Sequence, residues 1–292
     1  MVQAAFSPAG PTLGDAIPGF GTDGIRGRVG SVVTPALCLQ VGYWVGRVLA
    51  VEGPVLIGMD SRTSGSMVAS ALTAGLTAAG LDVWNLGLCP TPAVPLLIRK
   101  FRAAGGLMVS ASHNPPADNG IKVFGANGAK LAPERQARIE AGLRGEIDHS
   151  DHDHSICGGL RQSADLMADY RELLLSSVGT QRLDGVPIVL DLCWGSATAC
   201  AADAFQALGA DLTVLHGEPD GSRINVGCGS TALGPLQEAV KERGAVMGFA
   251  FDGDADRMLA VDSQGRIVDG DHVMFLWGSV LQEQDALPDQ RL

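Results

Sequence analysis

Two stretches of the chain repeat one pattern of apolar and polar positions. Residues 54–60 form an apolar run that ends at an aspartate, and an Ala-rich stretch leads from it to a second apolar run at 80–87. Residues 186–191 and 209–217 enclose a similar Ala-rich stretch. Short apolar runs on either side of a helical pattern predict a right-handed strand–helix–strand unit. The repeat therefore predicts two similar α/β domains.

The chain beyond the second unit carries further predicted elements. Residues 233–244 have the pattern of a helix, and the apolar run at 245–251 predicts a buried strand. A hairpin is predicted around residues 263–265, followed by a helix over 271–284. About 30 residues are too few to bury a core of their own, so we expect the chain to end inside a third domain.

A polar stretch separates the two repeated units. Residues 144–159 are rich in Asp, His and Gly and have no apolar periodicity, which predicts an interdomain linker. A metal site at His149, His152 and His154 is the alternative, but the polar stretch offers no framework to aim these side chains. The predicted domains are residues 1–155, residues 156–262 and, from 263–292, the start of a truncated third.

Composition and charge narrow the class of protein and of partner. The 292 residues are 46% hydrophobic but only 5% aromatic and include 39 glycines, which suits α/β cores of small aliphatic side chains. The net charge of −11 argues against nucleic acid or an anionic membrane as the main partner. No leader pattern or long apolar run is present, so we expect a cytoplasmic protein. The six cysteines include no C-x-x-C pair and are expected to be free thiols.

The motif SASHNPPADNGIK presents one hydroxyl, that of Ser112, among groups suited to phosphate. Ser112 is followed by His113 and Asn114, and two prolines then prevent a helix or a central strand. The pair Asn119-Gly120 predicts a turn before a short strand that fixes the direction of Lys122. A rigidly presented serine near a lysine is suited to accept or hold a phosphate.

Three aspartates alternate with small residues in the motif FDGDADR. In an extended loop, Asp252, Asp254 and Asp256 turn their carboxylates to one side. Oxygen ligands of this kind suit Mg²⁺, whose open coordination positions would go to phosphate. An EF-hand is excluded because Arg257 stands where its glycine is needed. An acidic surface turn stays open, as does a phosphatase with Asp252 as nucleophile and Asp254 as acid.

Several arginines are candidates for contacts with phosphate. Arg257 adds a guanidinium beside the aspartates, and Arg26 lies in a Gly-rich segment that is suited to wrap a phosphate. That segment matches neither a P-loop nor a dinucleotide fingerprint, and a plain Gly-rich turn stays open. Asp60, Arg62 and Asp191 follow predicted strand ends, where ligands bind in α/β sheets. A surface salt bridge for Arg62 and a helix cap for Asp191 are equally compatible with the sequence.

Together these motifs resemble those of the α-D-phosphohexomutase family, over a span from about Gly19 to the end. SASHNP is similar to the family's phosphoserine loop, and FDGDADR is similar to its magnesium loop. The motifs GTDGIRG (21–27), DNGIK (118–122) and INVGCGST (224–231) resemble the branch that acts on glucosamine phosphates. The combination is more specific than any one of the motifs.

The resemblance implies an α/β protein of repeated α/β/α domains with mixed sheets, two of them complete and a third truncated. It implies a Mg²⁺-dependent isomerase that interconverts glucosamine 6-phosphate and glucosamine 1-phosphate through a phosphoserine and a 1,6-bisphosphate, for UDP-N-acetylglucosamine synthesis. The family's sugar-recognition loop and phosphate clamp do not occur here, so the chain is expected to be inactive alone. A mannose or glucose phosphomutase and a binding-only fragment are the alternatives.

Motifs and resemblance together give the candidate residues. The implied partner is a phosphosugar, with a homodimer as one possible assembly of a full-length protein. The general base stays open between His113, Lys122 and a group outside the chain. The candidates are Ser112, His113, Lys122, Arg26 and Arg257 for catalysis, Arg62 and Asn114 for phosphate binding, and Ser112, Asp252, Asp254 and Asp256 for the metal.

Overall fold

A computed structural model of the chain describes residues 18–21, 24–49, 52–147 and 156–287. The central part of the predicted linker, including its three histidines, lies outside these residues. Within the described residues the strands form two sheets, and none of the helices has the length and apolar character that crossing a bilayer requires. Each of the two predicted repeats belongs to one sheet.

The first sheet is mixed and has six strands in the order β1-β5-β4-β2-β3-β6. Strands β2, β3, β4 and β6 are parallel, whereas β5 runs antiparallel to both β4 and β1. The strands are β1 (Ile25–Arg28), β2 (Val55–Met59), β3 (Val83–Leu88), β4 (Gly105–Val109), β5 (Asp118–Gly125) and β6 (Leu160–Gln162).

Helices cover both faces of the first sheet because its strands alternate apolar side chains between two cores. In β2, Val55 and Ile57 pack into one core, whereas Leu56 between them packs into the other. The first core is shared with α1, α2 and α4, and the second with α3 and α5. These helices are α1 (Pro35–Leu49), α2 (Gly65–Ala78), α3 (Ala93–Phe101), α4 (Pro133–Leu143) and α5 (Met167–Ser177).

The second sheet is also mixed and has the strand order β11-β10-β9-β7-β8. Strands β8 and β9 are parallel to β7, and β10 and β11 add an antiparallel edge. Helices α6 and α7 pack on its opposite faces. The elements are β7 (Pro187–Asp191), α6 (Ala201–Ala207), β8 (Asp211–Leu215), α7 (Gly234–Arg243), β9 (Met247–Phe251), β10 (Met258–Asp262), β11 (Ile267–Val268) and α8 (Gly270–Glu283).

The repeated strand–helix–strand units predicted from the apolar pattern are confirmed, as are the hairpin and the helix that follow them. Both sheets extend past the predicted domain boundaries, which stay predictions. Strand β6 follows position 155 but pairs with β3, and β11 follows position 262 but pairs with β10. Strand β6 has only three residues, all exposed, so no apolar pattern marks it.

One local prediction is wrong: the pair Asn119-Gly120 lies inside β5 and does not form a turn. Gly120 is needed there for close packing, because an added Cβ atom would lie 2.6 Å from the carbonyl oxygen of Ser110 and 2.9 Å from that of Ile25. The expected strand that carries Lys122 is present and begins earlier than predicted.

Helix α8 exposes several large apolar side chains. Asp269 caps the start of the helix, because its carboxylate accepts a hydrogen bond from the backbone N–H of His272 at 3.2 Å. Phe275, Leu276 and Trp277 are 68%, 58% and 65% exposed. A surface of this kind is unfavourable in water and is usually covered by other protein.

We therefore expect the chain to self-associate through α8 as its concentration rises, and the double variant Phe275→Ser/Trp277→Ser to stay monomeric. Sedimentation velocity over a range of concentrations measures this. The exposed Leu160 on β6 offers a control, since Leu160→Ser removes a single apolar side chain away from the helix. A native chain that is monomeric at every concentration would contradict the prediction.

Candidate active site

Three loops that follow parallel strands meet where the two sheets adjoin. The serine loop (residues 110–118) follows β4, and the aspartate loop (residues 252–257) follows β9. The third loop follows β2 and carries Arg62. The backbone N–H of Thr91 donates to the carbonyl of Asp254 at 2.8 Å and ties the two sheets together. Ligands of α/β proteins bind at such strand ends, so this junction is the candidate active site.

Ser112 lies at the centre of the junction and is buried. Its hydroxyl donates to Oδ2 of Asp252 at 2.6 Å and accepts a hydrogen bond from the guanidinium of Arg257. Its backbone N–H donates to Oγ of Ser110 at 2.8 Å. With φ at +52°, Ser112 adopts a left-handed conformation that costs energy and persists only where its surroundings enforce it. The loop thus holds the Ser112 oxygen between a carboxylate and a guanidinium.

The three aspartates converge as the sequence pattern predicts. Carboxylate oxygens of Asp252, Asp254 and Asp256 all lie within 4.8 Å of one another. The loop curls tightly, with Ala255 at a φ of +54°. Gly253 is required there, because an added Cβ atom would lie 2.8 Å from the carbonyl oxygen of Ser112.

The donor set fits a divalent cation that prefers oxygen. Asp254 is fully buried, and its Oδ1 has no hydrogen-bond partner among the described residues. A buried carboxylate oxygen without a partner is costly unless a donor or a cation meets it. Its other oxygen accepts from Thr91 Oγ1 at 2.5 Å and from Lys122 Nζ at 2.5 Å.

Burial and neighbouring charges shift the pKa values of Asp252 and Asp254 in opposite directions. Burial, followed by the negative charge of the neighbouring Asp254, raises the pKa of Asp252 to about 6. Burial also opposes ionisation of Asp254, but the charge and hydrogen bond of Lys122 outweigh it and hold the pKa below its ordinary value. Burial lowers the pKa of Lys122, yet Asp254 and Asp256 reverse this and raise it. Lys122 is therefore a cation that shares the aspartate cluster.

His113 lies beside Ser112 and is exposed. Partial desolvation of the ring lowers the pKa of His113, and the positive charges of Arg257 and Arg26 act in the same direction. Its Nδ1 is in hydrogen-bond contact with the guanidinium of Arg257. The neutral imidazole is thus the favoured form near pH 7, in contrast to the charged Lys122.

Arg62 is buried, and its interactions differ from the predicted contact with phosphate. Its Nε donates to Oδ2 of Asp60 at 3.0 Å, while its two terminal nitrogens donate to carbonyl oxygens of the serine loop. Five N–H groups are the full complement of a guanidinium, so none is left for a ligand in this arrangement. The carbonyl oxygens belong to Ser112, Asn114, Pro115 and Asp118, at 2.9 Å, 2.7 Å, hydrogen-bond distance and 2.9 Å, respectively.

Asn114 and Arg26 also take positions that the sequence did not define. The side-chain amide of Asn114 donates to Asp118 at 3.0 Å and so braces the serine loop from within. Arg26 lies in β1 opposite Gly120 of β5 and packs over it. Its charge contributes to the lowered pKa of Asp254, behind the larger effect of Lys122.

Asn225 is a site residue that the sequence analysis did not single out. Its Nδ2 donates to the carbonyl oxygens of Ser112 and Asn114 at 2.8 Å and 3.1 Å. Its Oδ1 accepts from the backbone N–H of Gly253 at 3.0 Å. One amide therefore joins the serine loop to the aspartate loop. The available signal was its position in the motif INVGCGST, whose resemblance carried no residue role.

Comparison with known proteins places this geometry in a family. The chain matches the family model "Phosphoglucomutase/phosphomannomutase, alpha/beta/alpha domain I" over residues 18–149 and the corresponding model of domain II over residues 168–265. These two matches include all three loops of the junction and every strand of the two sheets except β6 and β11.

Curated relatives extend the likeness along the whole chain. A phosphoglucosamine mutase of Synechococcus sp. (strain CC9902) is 96% identical over 292 residues, and one of Prochlorococcus marinus (strain MIT 9303) is 72% identical over 294. Both alignments cover 100% of this chain and 63% of the relative. The chain therefore spans less than two thirds of the length of the curated relatives it matches.

Solved structures agree with these matches. A phosphoglucomutase/phosphomannomutase family protein from Burkholderia thailandensis superposes with a TM-score of 0.79 at 26% identity, covering 96% of this chain and 60% of that one. A putative phosphomannomutase from Thermus thermophilus gives a TM-score of 0.77 at 26% identity, covering 92% and 62%. The resemblance seen in the sequence motifs is confirmed: the chain belongs to the phosphoglucomutase/phosphomannomutase family.

Proposed function

We propose that this chain forms the serine- and metal-bearing part of an enzyme that interconverts glucosamine 6-phosphate and glucosamine 1-phosphate. The observation that carries the proposal is the Ser112 hydroxyl, which lies between the carboxylate of Asp252 and the guanidinium of Arg257. Relatives that are 72% to 96% identical and carry the name phosphoglucosamine mutase support the choice of sugar.

The proposed cofactor is Mg²⁺, held by oxygens of Asp252, Asp254 and Asp256 and by the oxygen of Ser112. The convergence of the carboxylates and the unpartnered Oδ1 of Asp254 support this assignment. When bound, Mg²⁺ would neutralise charge that develops on a phosphoryl group during transfer. Small oxygen-preferring cations of this type commonly share such sites with substrate phosphate.

The chain's own residues supply the remaining steps. Arg257, whose side chain is 51% exposed, covers Ser112 and has to shift when a phosphate enters; its N–H groups then face the phosphate oxygens. In the transfer, a sugar oxygen bonds to phosphorus as the bond between phosphorus and the Ser112 oxygen breaks. Lys122 keeps its proton and offsets the negative charge of the aspartates.

Within the chain we assign the proton acceptor to His113 in preference to Lys122. The attacking sugar hydroxyl must lose its proton, and the neutral imidazole next to Ser112 is able to take it on Nδ1 once Arg257 has shifted to the phosphate. Lys122 is tied to Asp254 and Asp256 at 2.5 Å and 2.8 Å and has a raised pKa, which makes it a poor base.

The geometry disfavours an aspartyl phosphatase. Asp252 is fully buried, and its Oδ2 accepts from Ser112 at 2.6 Å and pairs with Arg257 at 3.1 Å. Its Oδ1 accepts the backbone N–H of Arg257 at 3.2 Å. A nucleophilic carboxylate has to be open to an incoming phosphate, whereas the buried Asp252 carboxylate lies against Ser112 and Arg257.

The test is to incubate the chain with Mg²⁺ and glucosamine 1,6-bisphosphate, digest it and map phosphate by mass spectrometry. We expect phosphate on Ser112, removed again by glucosamine 6-phosphate. Mannose 1,6-bisphosphate and glucose 1,6-bisphosphate in parallel reactions rank the sugars. A chain that carries no phosphate on Ser112 under any of these conditions would contradict the proposal.

We expect Asp254→Asn to abolish the stabilisation that Mg²⁺ gives the chain, because it removes one charge from the centre of the cation site. At free Mg²⁺ about 100 times its dissociation constant, the native chain should gain about 2.7 kcal/mol in free energy of unfolding. Thermal unfolding with Mg²⁺ and with a chelator measures the difference within each variant.

Asp203→Asn is the matched control, since Asp203 is exposed and lies outside the cluster. It should retain the full response to Mg²⁺. An unchanged response in Asp254→Asn, or none in the native chain, would remove the support for the metal site.

A further inference from the structure

Two buried thiols lie in contact below the active-site loops. The sulfur atoms of Cys193 and Cys228 are 3.8 Å apart, although the residues are separated by 35 positions in the chain. Cys193 follows β7, and Cys228 belongs to the irregular segment between β8 and α7. Both residues are fully buried, and both are free thiols in this structure.

Hydrogen bonds and close packing hold the two thiols in contact. Oδ1 of Asp191 accepts the backbone N–H of Cys193 at 2.9 Å, and Oδ2 accepts that of Gly229 at 2.8 Å. One carboxylate thus holds both cysteine-bearing loops. Gly229 has a φ of +67°, and an added Cβ atom would lie 2.4 Å from the Cys193 sulfur. Only glycine leaves room for the thiol at this position.

We propose that Cys193 and Cys228 form a reversible disulfide by exchange with a low-molecular-weight disulfide oxidant. The Cys228 thiolate attacks one sulfur of the oxidant and releases a thiolate. Cys193 then loses its proton and attacks the Cys228 sulfur, releasing the second thiolate. Two S–H bonds are replaced by one S–S bond, two protons pass to solvent or to the released thiolates, and the oxidant takes up two electrons.

The order of attack follows from the surroundings of the two sulfurs. The contact with Cys193 lowers the pKa of Cys228, while the same contact together with burial raises that of Cys193. Bond formation requires the sulfurs to approach to about 2.05 Å. Cys228 directly follows an exposed stretch in which Val226 is 59% exposed and Gly227 has a φ of +64°, so the chain next to it is open to solvent.

The disulfide would also act on the serine loop through Asn225. The Cys193 thiol donates to Oδ1 of Asn225 at 3.2 Å, and a disulfide has no hydrogen to donate. The same amide holds the carbonyl of Ser112 and the backbone N–H of Gly253. The effect on phosphate transfer rests on the proposed function, whereas the cross-link itself does not.

The test uses the chain with Cys157→Ser, which removes the one cysteine that is exposed among the described residues. The folded protein is treated with oxidised glutathione, quenched with an alkylating agent, and digested without reduction for mass spectrometry. We expect a peptide pair linked through Cys193 and Cys228, a loss of two hydrogens from the intact mass, and full reversal by dithiothreitol. Cys38→Ala, in the separate core of the first sheet, should give the same linked pair.

Two outcomes would overturn the proposal. One is that Cys193 and Cys228 remain alkylatable after oxidation and unfolding; the other is that the linked pair forms only in urea. In the Cys228→Ser variant, Cys193 should form no disulfide. A disulfide between Cys193 and another cysteine in that variant would also contradict the proposal. Because the cross-link is read directly, its failure is distinguishable from a failure of Ser112 to accept phosphate.

Discussion

The replacement Ser112→Ala is expected to remove phosphate from the mapped peptide and to reduce mutase turnover of the full-length protein by a factor on the order of 10⁴ to 10⁶. The proposed transfer passes through a covalent bond to the Ser112 oxygen, and alanine offers no atom to take its place. Phosphate incorporation is measured on the chain, and turnover is measured with glucosamine 1-phosphate and Mg²⁺ in the full-length context.

Two further variants separate this result from a general loss of structure. Ser177→Ala removes an exposed hydroxyl on α5 and should retain native turnover. Asp252→Asn distinguishes the mutase from an aspartyl phosphatase, which would continue to release phosphate when Ser112 is alanine and would stop when Asp252 is asparagine. Mutase turnover by Ser112→Ala at the native rate would therefore refute the serine mechanism.

The parts of the site that sequence could predict are those in which local pattern determines geometry. The alternation of Asp252, Asp254 and Asp256 with small residues predicts three carboxylates on one side, and in the structure the three converge. The apolar run before each loop predicts a strand, and the parallel arrangement of β2 and β4 brings their loops to one edge. Ser112 and the aspartates could thus be placed before their partners were known.

The parts that sequence could not predict depend on contacts between segments distant in the chain. Arg62 meets its carbonyl partners, such as that of Ser112, 50 residues on, only because β2 and β4 are neighbours in the sheet. Asn225 reaches the carbonyl of Ser112 across 113 positions. Neither contact leaves a periodic signal, since backbone carbonyl acceptors are present at every residue.

Removal of the Arg62 side chain is expected to destabilise the fold by about 3 to 5 kcal/mol, since it leaves a buried carboxylate without its partner. Arg62 and Asp60 pair at 3.0 Å with both side chains fully buried. The same substitution deprives carbonyl oxygens of the serine loop of their donors, which adds a desolvation cost for each buried group. Urea unfolding of Arg62→Ala and of the native chain at pH 8 measures the loss.

The pair Arg182 and Asp184 provides a matched control, because its members are likewise two residues apart but are exposed to solvent. Arg182→Ala should cost between about 0 and 1 kcal/mol. Arg62→Lys keeps the charge but loses the planar fork, so it should restore only part of the stability. Equal losses in Arg62→Ala and Arg182→Ala would show that burial of the Arg62 pair contributes nothing.

The loss in Arg62→Ala should also depend on pH in a defined direction. Burial raises the pKa of Asp60 from an ordinary value of 3.8 to about 6 despite the attraction of Arg62. A carboxyl whose pKa is higher in the folded state stabilises the fold when protonated, and this contribution falls as pH rises through that window. Without Arg62 the pKa of Asp60 rises further, so the pH range over which this contribution is lost extends to higher pH. The loss in free energy of unfolding that Arg62→Ala causes should therefore be larger at pH 8 than at pH 5. A loss that is independent of pH would assign the whole effect to the unpaired carbonyl oxygens of the serine loop.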